Sequence, residues 1–207
     1  MTTPVWQTSR FSIDLTQPKV MAIVNLTPDS FSDGGQHTNV KHALDHAQTM
    51  LAQGADILDI GGESSRPGAQ AVSVDEELAR IVPFIKEALN WHVPLSVDTA
   101  KPEVMRVVLD MGVDIINDIW ALRQAGALDV VSQHDRCGVC LMHMHRDPQT
   151  MFEQPMKGDA LLEVKDFLFQ RLQVLLEEGV DPSRIVLDPG VGFGKTLDQN
   201  LSLLTRQ

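Results

Sequence analysis

Short apolar runs alternate with helically spaced apolar stripes along nearly all of this chain. The runs at 19–25 (KVMAIVN), 56–62 (DILDIGG), 94–99 (PLSVDT), 114–119 (DIINDI), 138–143 (GVCLMH) and 184–190 (RIVLDPG) are mostly β-branched and almost continuously apolar. That is the pattern of strands buried on both faces. A weaker run at 11–16 (FSIDLT) fits one arm of a hairpin within a leading segment, residues 1–18.

Between the runs the apolar period changes from two to 3.6. Val40, Ala43, Leu44, Ala47, Met50 and Leu51 share one helical face. Ser73 and Glu76 stand in capping-box spacing ahead of Leu78, Ile81, Val82, Ile85 and Leu89. Pro102 opens a third helix carrying Val104, Val107, Val108 and Met111, and Gly112 stops it. A weaker fourth spans about 124–135, and a fifth carries Leu161, Val164, Leu168, Leu172 and Leu175 up to Gly179. A sixth begins near Asp198 and carries Leu201 and Leu204.

Strict βα alternation predicts a parallel sheet with right-handed crossovers. A doubly wound sheet and a TIM (β/α)8 barrel both satisfy it. No GxGxxG or P-loop follows the first strand, so the first βα loop decides little between them. Six βα units are visible, where a barrel needs eight in about 250 residues. The sequence therefore reads as one barrel domain over 1–207 that stops before its last two strands.

Composition narrows the function. Lys and Arg number 17 against 28 Asp and Glu, a net charge of −11, with 43% apolar and 22% charged residues. That excludes disorder and argues against nucleic acid or an anionic membrane as partner, both of which need a basic surface. No apolar run approaches the roughly 20 residues of a membrane helix, and no signal-peptide core opens the chain, so the expected location is cytoplasmic. Cys137 and Cys140 have redox spacing but run into a strand, which makes them ordinary buried thiols.

The candidate chemistry sits at the strand ends. Reading each run to its C-terminal end gives Asn25, Glu63 to Arg66, Asp98, Asn117, His143 and Asp188. In a barrel or open α/β sheet this edge binds the ligand. One such residue would merely cap the next helix; six in succession mark a site. Ser96 and Asp98 share one face, as do Ile115 with Asn117 and Val186 with Asp188. Two carboxylates and an amide converging there suit a flat heterocycle rich in N–H donors. Asp59 has the same parity as Gly61 and Glu63 but lies deeper, and reads as a paired structural acid. The loop at 25–35 (NLTPDSFSDGG) has the make-up of a lid, and 61–68 (GGESSRPG) that of an anion cradle. By itself, 192–195 (GFGK) is a weak phosphate signal.

Taken together, NLTPDSFSDGG, DILDIGGESSRPGA, SVDT, INDI, LMHM and DPGVGFGKT resemble the dihydropteroate synthases, in order and spacing, from Lys19 to Thr196. The resemblance implies a TIM barrel that joins 6-hydroxymethyl-7,8-dihydropterin diphosphate to 4-aminobenzoate, with Mg2+ as cofactor, and that sulfonamides inhibit. Matching positions imply Asn25 as metal ligand and Ser65, Arg66 and Pro67 in the second substrate loop. Asp98, Asn117, Met142 and Asp188 would hold the pterin, Phe193 would flank the aminobenzoate, and Asp98 and Arg66 would carry catalysis. Ser65 replaces the usual Thr, and His145-Arg146 follow LMHM where Gln-Gly is common. The family's Ser-Arg-Lys-Ser and Arg-x-His segments are absent. The resemblance implies a homodimer for full-length members, built largely through that same absent region.

Three other readings stay open at this stage. The chain could be a pterin-binding barrel fragment or paralogue without turnover, or a pterin-binding methyltransferase barrel. His143-x-His145 with Asp188 could instead form the zinc site of a metal-dependent amidohydrolase.

Overall fold

The computed structural model describes residues 3–27, 36–64, 71–148, 150–151 and 153–206. The six apolar runs become β3 (Met21–Asn25), β4 (Ile57–Gly61), β5 (Leu95–Asp98), β6 (Ile115–Asp118), β7 (Gly138–Met142) and β8 (Ile185–Asp188). They form one parallel sheet in the order β3-β4-β5-β6-β7-β8. A doubly wound sheet reverses its strand order at a switch point. Here each strand lies beside its predecessor, which is the winding of a (β/α)8 barrel, six units of it.

The helices are α1 (Gln36–Ala52), α2 (Val74–Ala88), α3 (Pro102–Asp110), α4 (Ala127–Gln133), α5 (Ala160–Glu177) and α6 (Leu197–Arg206). Their caps follow the sequence with two differences. Ser73 Oγ accepts from Glu76 N at 3.2 Å, but the Glu76 carboxylate turns to Arg80 at 2.5 Å, so only half of the capping box forms. The fourth helix is shorter than expected, because Gly126 adopts φ +87° immediately before it and the backbone cannot be helical there.

Alternate strand residues divide the core. Val24, Leu58, Ile60, Leu95, Val97, Ile116, Val139 and Leu141 face outward and pack on Ala43, Ala47, Ile81, Phe84, Ile85, Val104 and Val108 of the helices. The opposite parity points inward. At the N-terminal end of the strands, Ile57, Ile115 and Cys140 close on Trp6 and Ile13.

Those last two belong to a hairpin, β1 (Val5–Gln7) with β2 (Ser12–Asp14), which plugs the barrel floor. The Trp6 indole donates to Arg184 O at 2.9 Å. Arg10 grips the fully buried Asp114 through Nη2 at 2.6 Å and Nε at 3.0 Å, and Asp114 also accepts from Leu95 N. The floor is sealed, which leaves the C-terminal strand ends as the functional edge. No helix among the described residues is long and apolar enough to cross a membrane.

Candidate active site

Register aligns the strand-end residues across neighbouring strands. Asn25 pairs with Gly61, Gly61 with Asp98, and Asp98 with Asn117 across β3 to β6. Met142 pairs with Asp188 across β7 and β8. Asp98, Asn117 and Asp188 thus occupy the inner face of one sheet rim, as strand parity predicted. Ser65, Arg66 and Pro67, with most of the expected lid, lie outside the described residues.

The carboxylates create a strong local field. Burial pushes Asp98 well above the usual carboxylate range, and the charges of Asp59, Asp118, Glu77 and Glu63 push it further. Asp188 is held differently: its Oδ1 accepts from Gly190 N at 2.7 Å. Asp59, one row below the rim, is buried and its Oδ2 accepts from Asn117 Nδ2 at 3.0 Å. Burial raises its pKa, the Asn117 amide and the nearby Ser96 hydroxyl oppose the rise, and Asp188 adds to it. Asp59 Oδ1 and Ser96 Oγ nevertheless lie outside hydrogen-bond geometry, with no partner for either among the described residues.

An apolar wall stands beside these acids. Met142, Met144 and Met151 are buried together against Ile119, Trp120 and Phe193. Asp118 sets the turn that presents Trp120, accepting from Trp120 N at 2.8 Å and Leu122 N at 2.7 Å. It bends Ala121 and Leu122 into left-handed backbone, φ +53° and +57°. Burial lifts Asp118 to about 6 despite those two donors. Sequence reading missed Ile119, Trp120, Met144 and Met151, although the alternation of Met142 and Met144 was its available signal.

A cavity of about 410 Å3 opens next to Asp98, lined in part by Glu63, Thr99, Lys101, Trp120, Gln124 and Pro148. Of the described strand-end candidates, Glu63, Ser64 and Asp98 line it. Lys101 Nζ, the cation on its wall, is engaged by Glu63 and, at 2.5 Å, by the buried Glu77. Among the described residues its lining therefore offers no open anion site.

The GFGK lysine is not a phosphate ligand either. Lys195 Nζ spends its three donors on carbonyl oxygens, of Gly190 at 2.7 Å and of His143 and Phe193 at 3.1 Å. It staples the loop after β8 to the end of β7. Gly190 is required in that staple: at φ +64°, an added Cβ would lie 1.9 Å from His143 O.

His143 is buried edge-on to Phe167, ring centroids 5.0 Å apart, and its Nδ1 has no partner. Burial, then the Lys195 cation, push its pKa down to about 4. Among the described residues no three His, Cys, Asp or Glu side chains are arranged to hold a metal. Cys137 and Cys140 are buried free thiols, Cys137 on the helix side and Cys140 inside the barrel. Burial pushes both above the ordinary thiol range.

Comparison with known proteins matches this arrangement to one family. The sequence profile described as pterin binding enzyme matches residues 21–206. The dihydropteroate synthase of Neisseria meningitidis serogroup C is 48% identical over 202 residues, 97% of this chain and 71% of that protein. The crystal structure of Burkholderia cenocepacia dihydropteroate synthase complexed with 7,8-dihydropteroate is 47% identical, with TM-score 0.86 over 99% of this chain and 70% of that one. Xanthomonas albilineans dihydropteroate synthase with 4-aminobenzoic acid is 47% identical, with TM-score 0.90 over 99% and 73%.

Proposed function

The chain belongs to the pterin binding enzymes, among the dihydropteroate synthases, and we propose that its rim residues divide that reaction as follows. The enzyme condenses 6-hydroxymethyl-7,8-dihydropterin diphosphate with 4-aminobenzoate, giving 7,8-dihydropteroate and pyrophosphate, a step of folate biosynthesis. Asp98, Asn117 and Asp188 hold the pterin by its N–H edge, with Met142 against its face. Phe193 flanks the aminobenzoate. Ser65, Arg66 and Pro67 form the second substrate loop.

The methylene C–O bond breaks first, and its electron pair leaves with the diphosphate. The remaining pterin-stabilised cation is attacked by the arylamine nitrogen, which then sheds a proton. An arylamine is nucleophilic when neutral, so no general base is required. Asp98 stabilises the cation when ionised, and its crowded carboxylate neighbourhood is most relaxed when positive charge sits there. Arg66 meets the negative charge of the leaving group.

The residues present fit a Mg2+ bridged through substrate. Asn25 Oδ1 lies 3.5 Å from where a Gly61 Cβ would stand, so the amide oxygen faces the bare backbone of the rim. Mg2+ takes oxygen ligands and is commonly held by one or two protein groups with substrate phosphates and water rather than by a protein cage. That agrees with an amide ligand and with the absence, among the described residues, of three His, Cys, Asp or Glu side chains placed to hold a metal. When bound, the ion would neutralise charge on the departing diphosphate. The zinc reading of His143 and His145 falls with the family assignment.

The observation that carries this reading is the Asp98–Asn117 register pair with Asp188 on the same inner face of the sheet, in a chain of this family. Mass spectrometry of product tests it. Dihydropteroate that forms only when Mg2+, pterin diphosphate and 4-aminobenzoate are all supplied is expected. A folded chain that releases no product overturns the catalytic reading and leaves the pterin-binding fragment. The same reading places the protein in the cytoplasm.

A further inference from the structure

Asp59 is an expensive residue with no structural creditor. It is 5% exposed on the inner face of β4, and among the described residues it forms no ion pair. Burying an unpaired acid is unfavourable, and an apolar residue would fill the position without that penalty. Among the described residues its one hydrogen bond is to Asn117, reaching from β4 to β6 across Ser96 of β5.

Resting on the pterin-site reading above, we propose that Asp59 is a positioning residue: it fixes which edge of the Asn117 amide meets the substrate. A primary amide has two orientations of nearly the same shape and opposite hydrogen-bonding sense. A carboxylate only accepts, so the Asn117 nitrogen must turn toward Asp59. One N–H is then committed, and Asn117 Oδ1 with the second N–H is left for the ring. A heterocycle edge that alternates donor and acceptor is read correctly in one of these orientations and refused in the other. Asp59 thereby sets substrate choice without touching the ring, as an outer-shell partner does for a ligand it orients.

The test combines two readouts on the full chain. In nitrogen-15 NMR spectra, one side-chain amide proton of Asn117 should be shifted downfield and exchange slowly with no ligand present, and Asp59→Asn, which keeps an acceptor but can also donate, should diminish this. In calorimetry, Asp59→Asn should weaken binding of 6-hydroxymethylpterin about tenfold, the factor that a lost hydrogen bond of about 1.4 kcal/mol produces. The KM for 4-aminobenzoate should stay unchanged, and Asp59→Asn should add nothing in an Asn117→Ala background. Equal weakening toward both substrates, or full additivity with Asn117→Ala, overturns the assignment. An ordinary, rapidly exchanging Asn117 amide in the unsubstituted protein overturns it too, even if Asp59→Asn fails to fold. A chain that binds no pterin while keeping the shifted amide overturns the functional reading instead, so the two failures are distinguishable.

Discussion

At the scale of single residues, the site sets function against stability. Asp98 is pushed up by burial and then by Asp59, Asp118, Glu77 and Glu63. A carboxyl raised on folding contributes stability that is complete below its unfolded pKa and is lost as pH rises through the folded one. At neutral pH, Asp98→Asn should therefore melt higher than the unsubstituted protein, by about 2–4 °C for each kcal/mol recovered. Turnover should fall by about 10²–10³, as for other losses of a group facing developing charge. A melting scan beside steady-state kinetics decides it, and an unchanged rate would remove Asp98 from catalysis. His143 has the opposite sign. Its pKa is driven down to about 4 by burial and the Lys195 cation. Its contribution is thus whole above about 6.5 and disappears as pH falls toward 4, worth up to about 3 kcal/mol. Urea midpoints measured from pH 7 to 4 should drop less steeply for His143→Leu, and parallel slopes would refute the assignment.

At the scale of elements, the two ends of the strands do separate jobs. Asp114 opens β6 at the floor and ties Arg10, Leu95 and the hairpin together, far from Asp118 and Asn117 at the rim of the same strand. Asp114→Ala removes the acceptor shared by Arg10 and the Leu95 amide and should cost about 1–3 kcal/mol in stability. The KM for both substrates, measured below the new melting point, should be unaltered. A selective rise in the pterin KM would show that floor and rim are coupled. The same division explains what was legible in sequence. Strand parity placed Asp98, Asn117 and Asp188 because period two depends only on the backbone. It could not foresee the Asp59–Asn117 bond, which crosses an intervening strand, or the inward turn of Lys195, which depends on carbonyls from two loops. The sequence pattern starts the fourth helix three residues too early because Gln124 and Ala125 suit a helix and only the left-handed Gly126 forbids one.

At the scale of the whole molecule, alternation of elements identified a parallel α/β sheet, and strand order decided how it winds. Neither conveys how evenly the sheet is held. Strands β4 to β7 are hydrogen-bonded on both sides, whereas β3 and β8 each have one neighbour among the described residues. Ile23, on the inner face of β3, is 62% exposed, while its register partner Asp59 is 5% exposed. Leu187, on the outer face of β8, is 39% exposed. In a parallel strand alternate amides point to opposite neighbours, so half the amides of each outer strand lack a ladder partner. Stability should therefore be graded across the sheet. Amide hydrogen exchange should be slowest in β5 and β6 and fast at every second position of β3 and β8. Pterin binding should slow the rim amides of β5, β6 and β8 more than those of β3, since Asp98, Asn117 and Asp188 lie on the first three. Uniform protection across all six strands would contradict the grading. It would mean that the outer edges are paired in solution, and a second copy of the chain, revealed by a concentration-dependent sedimentation coefficient, would be the first partner to seek.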